Sequence, residues 1–145
     1  MAKTTTERPS RFWAGGFLYN LATNSVFLHK RDGNTKINPN KWAFFGGLNE
    51  GSESAEGCYI RELEEEIGLR VTAENVHPLT EYMNEELKTY RIVFYSLSEA
   101  DRKEFVLGEG AGFDWVSLTD ISRFDLTEKT KLDLDYFIAK LEQEK

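Results

Sequence analysis

Residues 47–69 constrain the fold more than any other part of this sequence, because a fixed pattern of glycines and charges is combined there with helical apolar spacing. The pattern reads Gly47, five residues, Glu53, seven residues, and then the run Arg61-Glu62-Leu63-Glu64-Glu65-Glu66-Ile67-Gly68-Leu69. Ile60, Leu63 and Ile67 recur at steps of three and four, so they form an apolar stripe that can pack against a sheet. The sequence therefore predicts a helix over residues 53–67.

The predicted helix also carries a concentrated acidic face. At about 100° per residue, Glu62, Glu65 and Glu66 fall within an arc of about 100°, whereas Glu64 lies on the opposite side. Like charges at these spacings repel and raise each other's pKa unless a positive group lies between them. An acidic run is usually a solvated helix face, but a divalent cation would compensate this arc. Oxygen ligands without a His or Cys cluster suit Mg²⁺, or Mn²⁺, together with substrate phosphates.

The complete pattern resembles a Nudix box and departs from it at no defining position. The preceding residues, 42–47, resemble the strand that leads into the box in that family, with Phe45 where many members have Pro. The resemblance implies hydrolysis of a nucleoside diphosphate linked to another group X, by metal-assisted attack of water on phosphorus. It also implies the α/β/α sandwich of the family, with a mixed central sheet and two main helices.

The resemblance assigns the metal ligands within the box. Glu62, Glu65 and Glu66 match positions that hold Mg²⁺, and the backbone carbonyl of Gly46 matches a further ligand in several members. Glu62 also matches the general base of some relatives, whereas other relatives take the base from a later loop. The identity of the base therefore stays open.

Residues around these ligands complete the predicted site. Arg61 and Glu53 match positions that support the box, so Arg61 is expected to hold carboxylates in place. A fourth carboxylate of the family often precedes a strand with an aromatic residue, and Glu109 resembles it, with Glu104 and Asp114 as alternatives. The predicted catalytic residues are Glu62, Glu65, Arg61 and Glu53. The predicted metal ligands are Gly46, Glu62, Glu65, Glu66 and Glu109.

Length and composition indicate one ordinary domain. The 145 residues suffice for one core, and the polar start predicts a flexible tail over residues 1–10 before a single domain over residues 11–145. No segment reaches the roughly 20 apolar residues of a membrane helix, and the single cysteine, Cys58, cannot form an internal disulfide. Both features favour the cytoplasm. Cys58 falls on the acidic face of the predicted helix, where we interpret it as incidental.

Strand patterns surround the predicted helix. Strand-forming residues separated by polar turn residues predict one hairpin from residues 12–19 and 25–30 and a second pair from residues 79–83 and 89–97. Residues 105–107 and 113–116 predict a third pair around a glycine-rich turn. A closing amphipathic helix, with Thr127 as its cap, is indicated by apolar residues at steps of three and four, namely Leu132, Leu134, Phe137, Ile138 and Leu141.

The substrate depends on residues outside the box. The small size and the segment 42–47 look more like nucleoside triphosphate pyrophosphohydrolases, including those that act on oxidised purine nucleotides. ADP-ribose, nucleotide sugars and dinucleoside polyphosphates remain alternatives, as does a non-catalytic nucleotide-sensing module. The net charge of −7 and the lack of a basic stripe argue against a nucleic-acid partner. Homodimers occur often in the family, but the sequence does not reveal the oligomeric state.

Several side chains outside the box are candidates for substrate contacts. Aromatic residues on predicted strands could stack on a base, although core or sheet-surface roles are commoner; they are Phe44, Tyr82, Tyr90, Phe94 and Trp115. Three basic residues could contact phosphates, although solvated roles are commoner; they are Lys41, Lys88 and Arg91. His29 and His77 have no partner that the sequence reveals, which favours ordinary surface or core roles.

Overall fold

The computed structural model describes residues 8–34, 36, 39–105 and 112–144. Within them, seven strands form one sheet: β1 (Trp13–Asn20), β2 (Ser25–Lys30), β3 (Trp42–Ala43), β4 (Phe45–Leu48), β5 (His77–Asn84), β6 (Thr89–Leu97) and β7 (Gly112–Ser117). The α-helices are α1 (Ala55–Ile67) and α2 (Glu128–Gln143). Short 3₁₀ helices cover Ala73–Asn75, Arg102–Glu104 and Leu118–Arg123. None of the helices described is long and apolar enough to cross a membrane.

Strand β1 organises the sheet. It runs parallel to β6 and antiparallel to β2 and β4, and β5, β3 and β7 add antiparallel partners at β6 and β2. The sheet is therefore mixed, as predicted. The start of β1 pairs with β4 and its end with β2. This division places Gly46 opposite Gly15, a few residues before the turn that leads into α1.

Two hydrophobic cores lie on opposite faces of the sheet. The core on the α1 face includes Leu18, Phe27, Phe45, Tyr59, Leu63, Ile67, Ile92 and Phe94. The core on the α2 face includes Phe17, Tyr19, Val26, Leu28, Phe44, Val93, Leu134 and Phe137. Neighbouring residues of β1 and β6 enter different cores because side chains alternate across a strand. The predicted α/β/α sandwich is confirmed.

Helix α1 begins two residues later than predicted. Ser54 is its N-cap, and the Ser54 hydroxyl accepts a hydrogen bond from the Gly57 N–H at 3.0 Å. Glu53 therefore lies before the helix, where its side chain can reach back over the first turns. At the other end Gly68 adopts a left-handed φ of 72° and donates to the Glu64 carbonyl, which ends the helix.

Only the second strand of the predicted third hairpin is found within the described residues. Residues 113–116 lie within β7, but β7 pairs with β2. Phe105 follows the 3₁₀ helix Arg102–Glu104 and is buried in the α1-face core, where its ring packs 4.6 Å from that of Phe27. Its apolar character reflects this packing rather than a strand. Residues 106 and 107, also assigned to that strand, lie outside the described residues.

Candidate active site

The turn between β4 and α1 is fixed at both ends. Asn49 is buried; its side chain accepts from the Phe12 N–H at 3.0 Å and donates to the Ser10 carbonyl at 2.8 Å. Further along, the Glu53 carboxylate accepts from the Glu50 N–H at 3.0 Å. These bonds hold the turn against the start of β1. They therefore fix the position of β4 relative to α1.

Arg61 is the centre of the site. Its Nε and Nη2 donate to the two carboxylate oxygens of Glu53 at 2.7 and 3.1 Å. Nη1 donates to Glu65 at 3.0 Å and to Glu62 at 3.2 Å, and Nη2 also donates to the Leu48 carbonyl at 3.3 Å. The Arg61 guanidinium lowers the pKa of Glu53, and the surrounding carboxylates raise the pKa of Arg61. Glu53 and Arg61 thus form a two-bond ion pair, which agrees with the expected contact between Arg61 and the carboxylates, and their role in catalysis stays a prediction.

Glu62 and Glu66 lie on the side of α1 that faces β4. Glu66 Oε2 accepts a hydrogen bond from the Gly46 N–H at 3.0 Å. The Glu62 carboxylate packs against Gly47 so closely that a side chain at that position would collide with it. Glycine at position 47 thus leaves this space to the Glu62 carboxylate, which a larger residue would displace. Burial raises the pKa of Glu62, and the nearby Arg61 charge opposes that rise.

The three predicted metal-binding glutamates lie on one helix, and two of them, Glu62 and Glu65, share Arg61 as a partner. Glu65, with 57% of its side chain exposed, contacts Arg61, whereas Glu66 contacts the backbone of β4. In the part of the chain that the structure describes, no group of three or more His, Cys, Asp or Glu side chains is arranged to hold a metal ion. The oxygen-only donors nevertheless have the chemistry that a hard divalent cation prefers. Their role as ligands stays a prediction, and Glu109 lies outside the described residues.

The Cys58 side chain is buried and is not exposed on the acidic face of α1. Its side chain is fully buried because β4 covers this part of α1, and its Sγ lies 3.5 Å from the Gly47 carbonyl oxygen. Burial, with Glu53 nearby, raises the pKa of the thiol to about 12. A thiol with that pKa is protonated at neutral pH, so it is not a nucleophile.

The candidate substrate-contacting aromatics have other partners. Phe44 and Phe94 are buried in the two cores. The Tyr82 hydroxyl donates to Asp133 at 2.8 Å, and the Tyr90 hydroxyl donates to Glu81 at 2.8 Å. The Trp115 indole N–H donates to a backbone carbonyl at 3.0 Å. Phe44 and Phe94 are therefore core residues, whereas Tyr82 belongs to a polar group that the sequence did not reveal.

That polar group joins α2 to the sheet. Arg91 Nε donates to Asp133 Oδ2 at 2.8 Å, and the Arg91 guanidinium lies 4.3 Å from the centre of the Trp13 ring. Sequence reasoning gave Arg91 as a possible phosphate contact, with a solvated role commoner, and passed over Asp133 and Trp13. A signal was present, because Asp133 occupies the apolar face of α2, three residues after Thr130 and one before Leu134, both of which are buried.

His29 of β2 contacts the backbone between β3 and β4. Its burial predicts an effect of pH on the stability of the fold. Its Nε2 lies 2.9 Å from the Phe44 carbonyl oxygen, and burial lowers the pKa of His29 from 6.5 to about 4. The folded protein therefore binds this proton less tightly than the unfolded chain. We expect stability to fall as the pH drops from about 6.5 toward 4, measured by urea unfolding. The His29→Gln variant should lose less stability over that interval; equal losses would assign the effect to other groups.

The described residues thus form a mixed sheet between two helices, with Arg61 hydrogen-bonded to Glu53, Glu62 and Glu65 and with Glu66 bonded to Gly46. The NUDIX domain family matches residues 10–141 of the chain. The protein belongs to this family and is a pyrophosphohydrolase enzyme of it.

Individual proteins are similar to this chain in sequence or in fold. The nucleoside triphosphatase NudI of Escherichia fergusonii is 27% identical over 106 residues, which are 66% of this chain and 75% of the relative. The crystal structure of a MutT protein from Methanosarcina mazei Go1 has a TM-score of 0.70 at 24% identity and covers 97% of this chain and 100% of its own. A bifunctional NMN adenylyltransferase/ADP ribose pyrophosphatase from Francisella tularensis has a TM-score of 0.68 at 19% identity, over 97% of this chain and 43% of its own.

Proposed function

We propose that the protein hydrolyses a nucleoside triphosphate to a nucleoside monophosphate and pyrophosphate, with a divalent cation. The observation that supports this most strongly is the arrangement around Arg61, which holds Glu62 and Glu65 on one side while Glu66 bonds to Gly46. The similarity to a nucleoside triphosphatase favours the triphosphate over other nucleotides.

The cation would be Mg²⁺, with Mn²⁺ as a substitute. Glu62, Glu65, Glu66 and the Gly46 carbonyl would hold it, joined by Glu109. A bound cation neutralises phosphate oxygens and lowers the pKa of the attacking water. The all-oxygen donor set suits this ion, and a buried carboxylate beside Arg61 is compatible with a positive charge at the same place.

The protein's own residues supply position and a proton acceptor. Glu62 is partly buried, with 15% of its side chain exposed, and its raised pKa suits a group that accepts a proton from water. Arg61 fixes its direction, and Glu53 fixes Arg61 through two hydrogen bonds. The amide of Gly46 fixes Glu66. Phosphoryl transfer depends mainly on such positioning and on charge compensation.

Other substrates share the same chemistry. The similar solved structures include a MutT protein and a protein with an ADP ribose pyrophosphatase, so the fold does not choose between triphosphates and ADP-ribose. Nucleotide sugars and dinucleoside polyphosphates are further alternatives. A nucleotide sensor without activity is disfavoured, since each box carboxylate is present: Glu53, Glu62 and Glu65 bond to Arg61, and Glu66 bonds to Gly46. A homodimer and the absence of nucleic-acid partners stay predictions.

The decisive experiment is a substrate panel with product identification. It contains nucleoside triphosphates, oxidised purine triphosphates, ADP-ribose, nucleotide sugars and dinucleoside polyphosphates, each with Mg²⁺ or Mn²⁺, beside the Glu65→Gln variant. We expect one triphosphate class to be preferred, pyrophosphate to be released, and the variant to be impaired. Release of single phosphate would contradict the cleavage pattern. Nucleotide binding without any turnover would favour the sensor.

The proposed fourth carboxylate can be tested separately. We expect Glu109→Gln to lower turnover or the apparent affinity for Mg²⁺ about tenfold or more, because it removes one charged oxygen ligand. Glu104→Gln and Asp114→Asn are the matched controls, since these carboxylates are the sequence neighbours most easily confused with Glu109. Steady-state kinetics over a range of Mg²⁺ concentrations would show the effect, and an unchanged profile for Glu109→Gln would remove it from the site.

A further inference from the structure

Arg91 and Asp133 form a buried charge pair on the α2 face of the sheet that the proposed reaction does not use. The Arg91 side chain is 11% exposed and that of Asp133 is 1% exposed. Asp133 accepts from Arg91 Nε through one oxygen and from the Tyr82 hydroxyl through the other, each at 2.8 Å. Both carboxylate oxygens are thus occupied, and the guanidinium is held at one edge.

Trp13 connects this pair to the active site. In the register of the sheet, Trp13 lies beside Arg91 on one side and beside Leu48 of β4 on the other, and Tyr82 lies beside Arg91. Directly paired residues share a face of the sheet, so these side chains form one row. The Trp13 ring covers Gly46 and its strand neighbour Gly15, since a Cβ built on either glycine would lie 2.5 Å from a carbon of the ring. Arg91 is therefore one indole ring away from the proposed metal ligand Gly46.

The guanidinium retains donors for a ligand. Arginine carries five N–H donors; the bond to Asp133 uses one, and the adjacent Tyr82 hydroxyl accepts at most one more. Among the described residues, two side-chain atoms are fully enclosed without a hydrogen-bond partner: His29 Nδ1 and Asn84 Oδ1. The two terminal nitrogens of Arg91 do not belong to this group. Arg91 is thus rigid, partly accessible and incompletely bonded.

The charge balance decides which ligand group suits Arg91. Asp133 compensates the guanidinium charge at 2.8 Å and would repel a phosphate at the same place. A neutral acceptor, such as a carbonyl oxygen of a nucleobase, carries no such penalty. A planar guanidinium bonds two adjacent acceptors, and guanine presents O6 beside N7, whereas adenine presents an amino donor beside N7.

We propose that Arg91 is a specificity-determining residue that reads the O6 and N7 edge of a guanine base, with Trp13 beside it and Asp133 holding it in place. This rests on the proposed nucleotide substrate, whose phosphates would lie at the box and whose base would lie on the α2 face. A second observation points to a ligand. Asn84 is 5% exposed, lies on the same face two residues beyond Tyr82, and its Oδ1 has no partner in the described residues.

The test measures binding rather than turnover. Calorimetry with the α,β-methylene analogues of GTP and ATP, which cannot be cleaved between those phosphates, is run on the wild type and on Arg91→Lys. Lysine keeps the positive charge next to Asp133 but cannot bond two acceptors in one plane. We expect the wild type to bind the GTP analogue about tenfold more tightly than the ATP analogue, and Arg91→Lys to lose that preference with ATP-analogue affinity unchanged. Arg123→Lys, at an exposed position, is the matched control.

Each other outcome overturns the assignment. Equal binding of both analogues by the wild type removes base reading. An equal loss for both analogues in Arg91→Lys shows contact with a shared group, such as a phosphate, or a purely structural role. Thermal melting of both Arg→Lys variants shows that the fold is intact in either case. The hydrolysis panel is a separate assay, so a base preference without turnover would contradict the proposed reaction and leave this assignment standing.

Discussion

Replacing Glu62 with Gln is expected to lower turnover of the preferred nucleotide about 100-fold or more. The carboxylate lies against Gly47 and beside Arg61, so the amide fills the same space but loses both the charge and the ability to accept a proton. Burial already raises the pKa of Glu62, so folding does not depend on the charged form. We therefore expect turnover to fall without a lower melting temperature, measured by steady-state kinetics in Mg²⁺ and by thermal unfolding.

Glu64→Gln is the matched control for this prediction. Glu64 is on the same helix, with 50% of its side chain exposed and an Arg70 nitrogen 3.8 Å from its carboxylate. It faces away from Gly46 and Arg61, so the same change of charge should leave turnover within about twofold of the wild type, as expected for a surface substitution. If both variants lost activity equally, the effect would come from the charge of the helix rather than from the position of Glu62.

The bounds of a strand were predictable where the residues of that strand alone indicated them. Residues 25–30 and 89–97 were predicted with the bounds that β2 and β6 have, because their apolar runs reflect burial against a core on each face of the sheet. The pairing of β7 was not predictable in this way. Its partner β2 is far away in sequence, and Phe105, the neighbouring apolar residue, is buried without being in a strand.

Contacts of the candidate site were likewise predictable only where the residues are close in sequence. Glu62, Glu65 and Arg61 lie within one helix, so their spacing determines that they meet, and their contacts agree with the predicted support of the box. The pair of Arg91 and Asp133 joins residues 42 positions apart in sequence. Spacing carries no information on such a contact, and only the acidic residue on the apolar face of α2 hinted at it.

Replacing Arg91 with Leu is expected to destabilise the protein by about 3–5 kcal/mol. The substitution leaves the Asp133 carboxylate, which is 1% exposed, without its charged partner, and the Tyr82 hydroxyl alone does not compensate a buried charge. It also removes the guanidinium that lies over Trp13 at 4.3 Å. Urea unfolding at neutral pH would measure the difference in the free energy of unfolding.

The double variant Arg91→Leu/Asp133→Leu separates the cost of an orphaned charge from the value of the pair. Buried ion pairs can often be replaced by apolar side chains with little loss, because neither charge then has to be desolvated. We therefore expect the double variant to recover most of the stability that Arg91→Leu loses. An equal loss in both variants would mean that the pair itself stabilises the contact between α2 and the sheet. Recovery would show that these charges are dispensable for folding, so that a loss of base preference in an Arg91 variant would not be explained by a need for the pair in the fold.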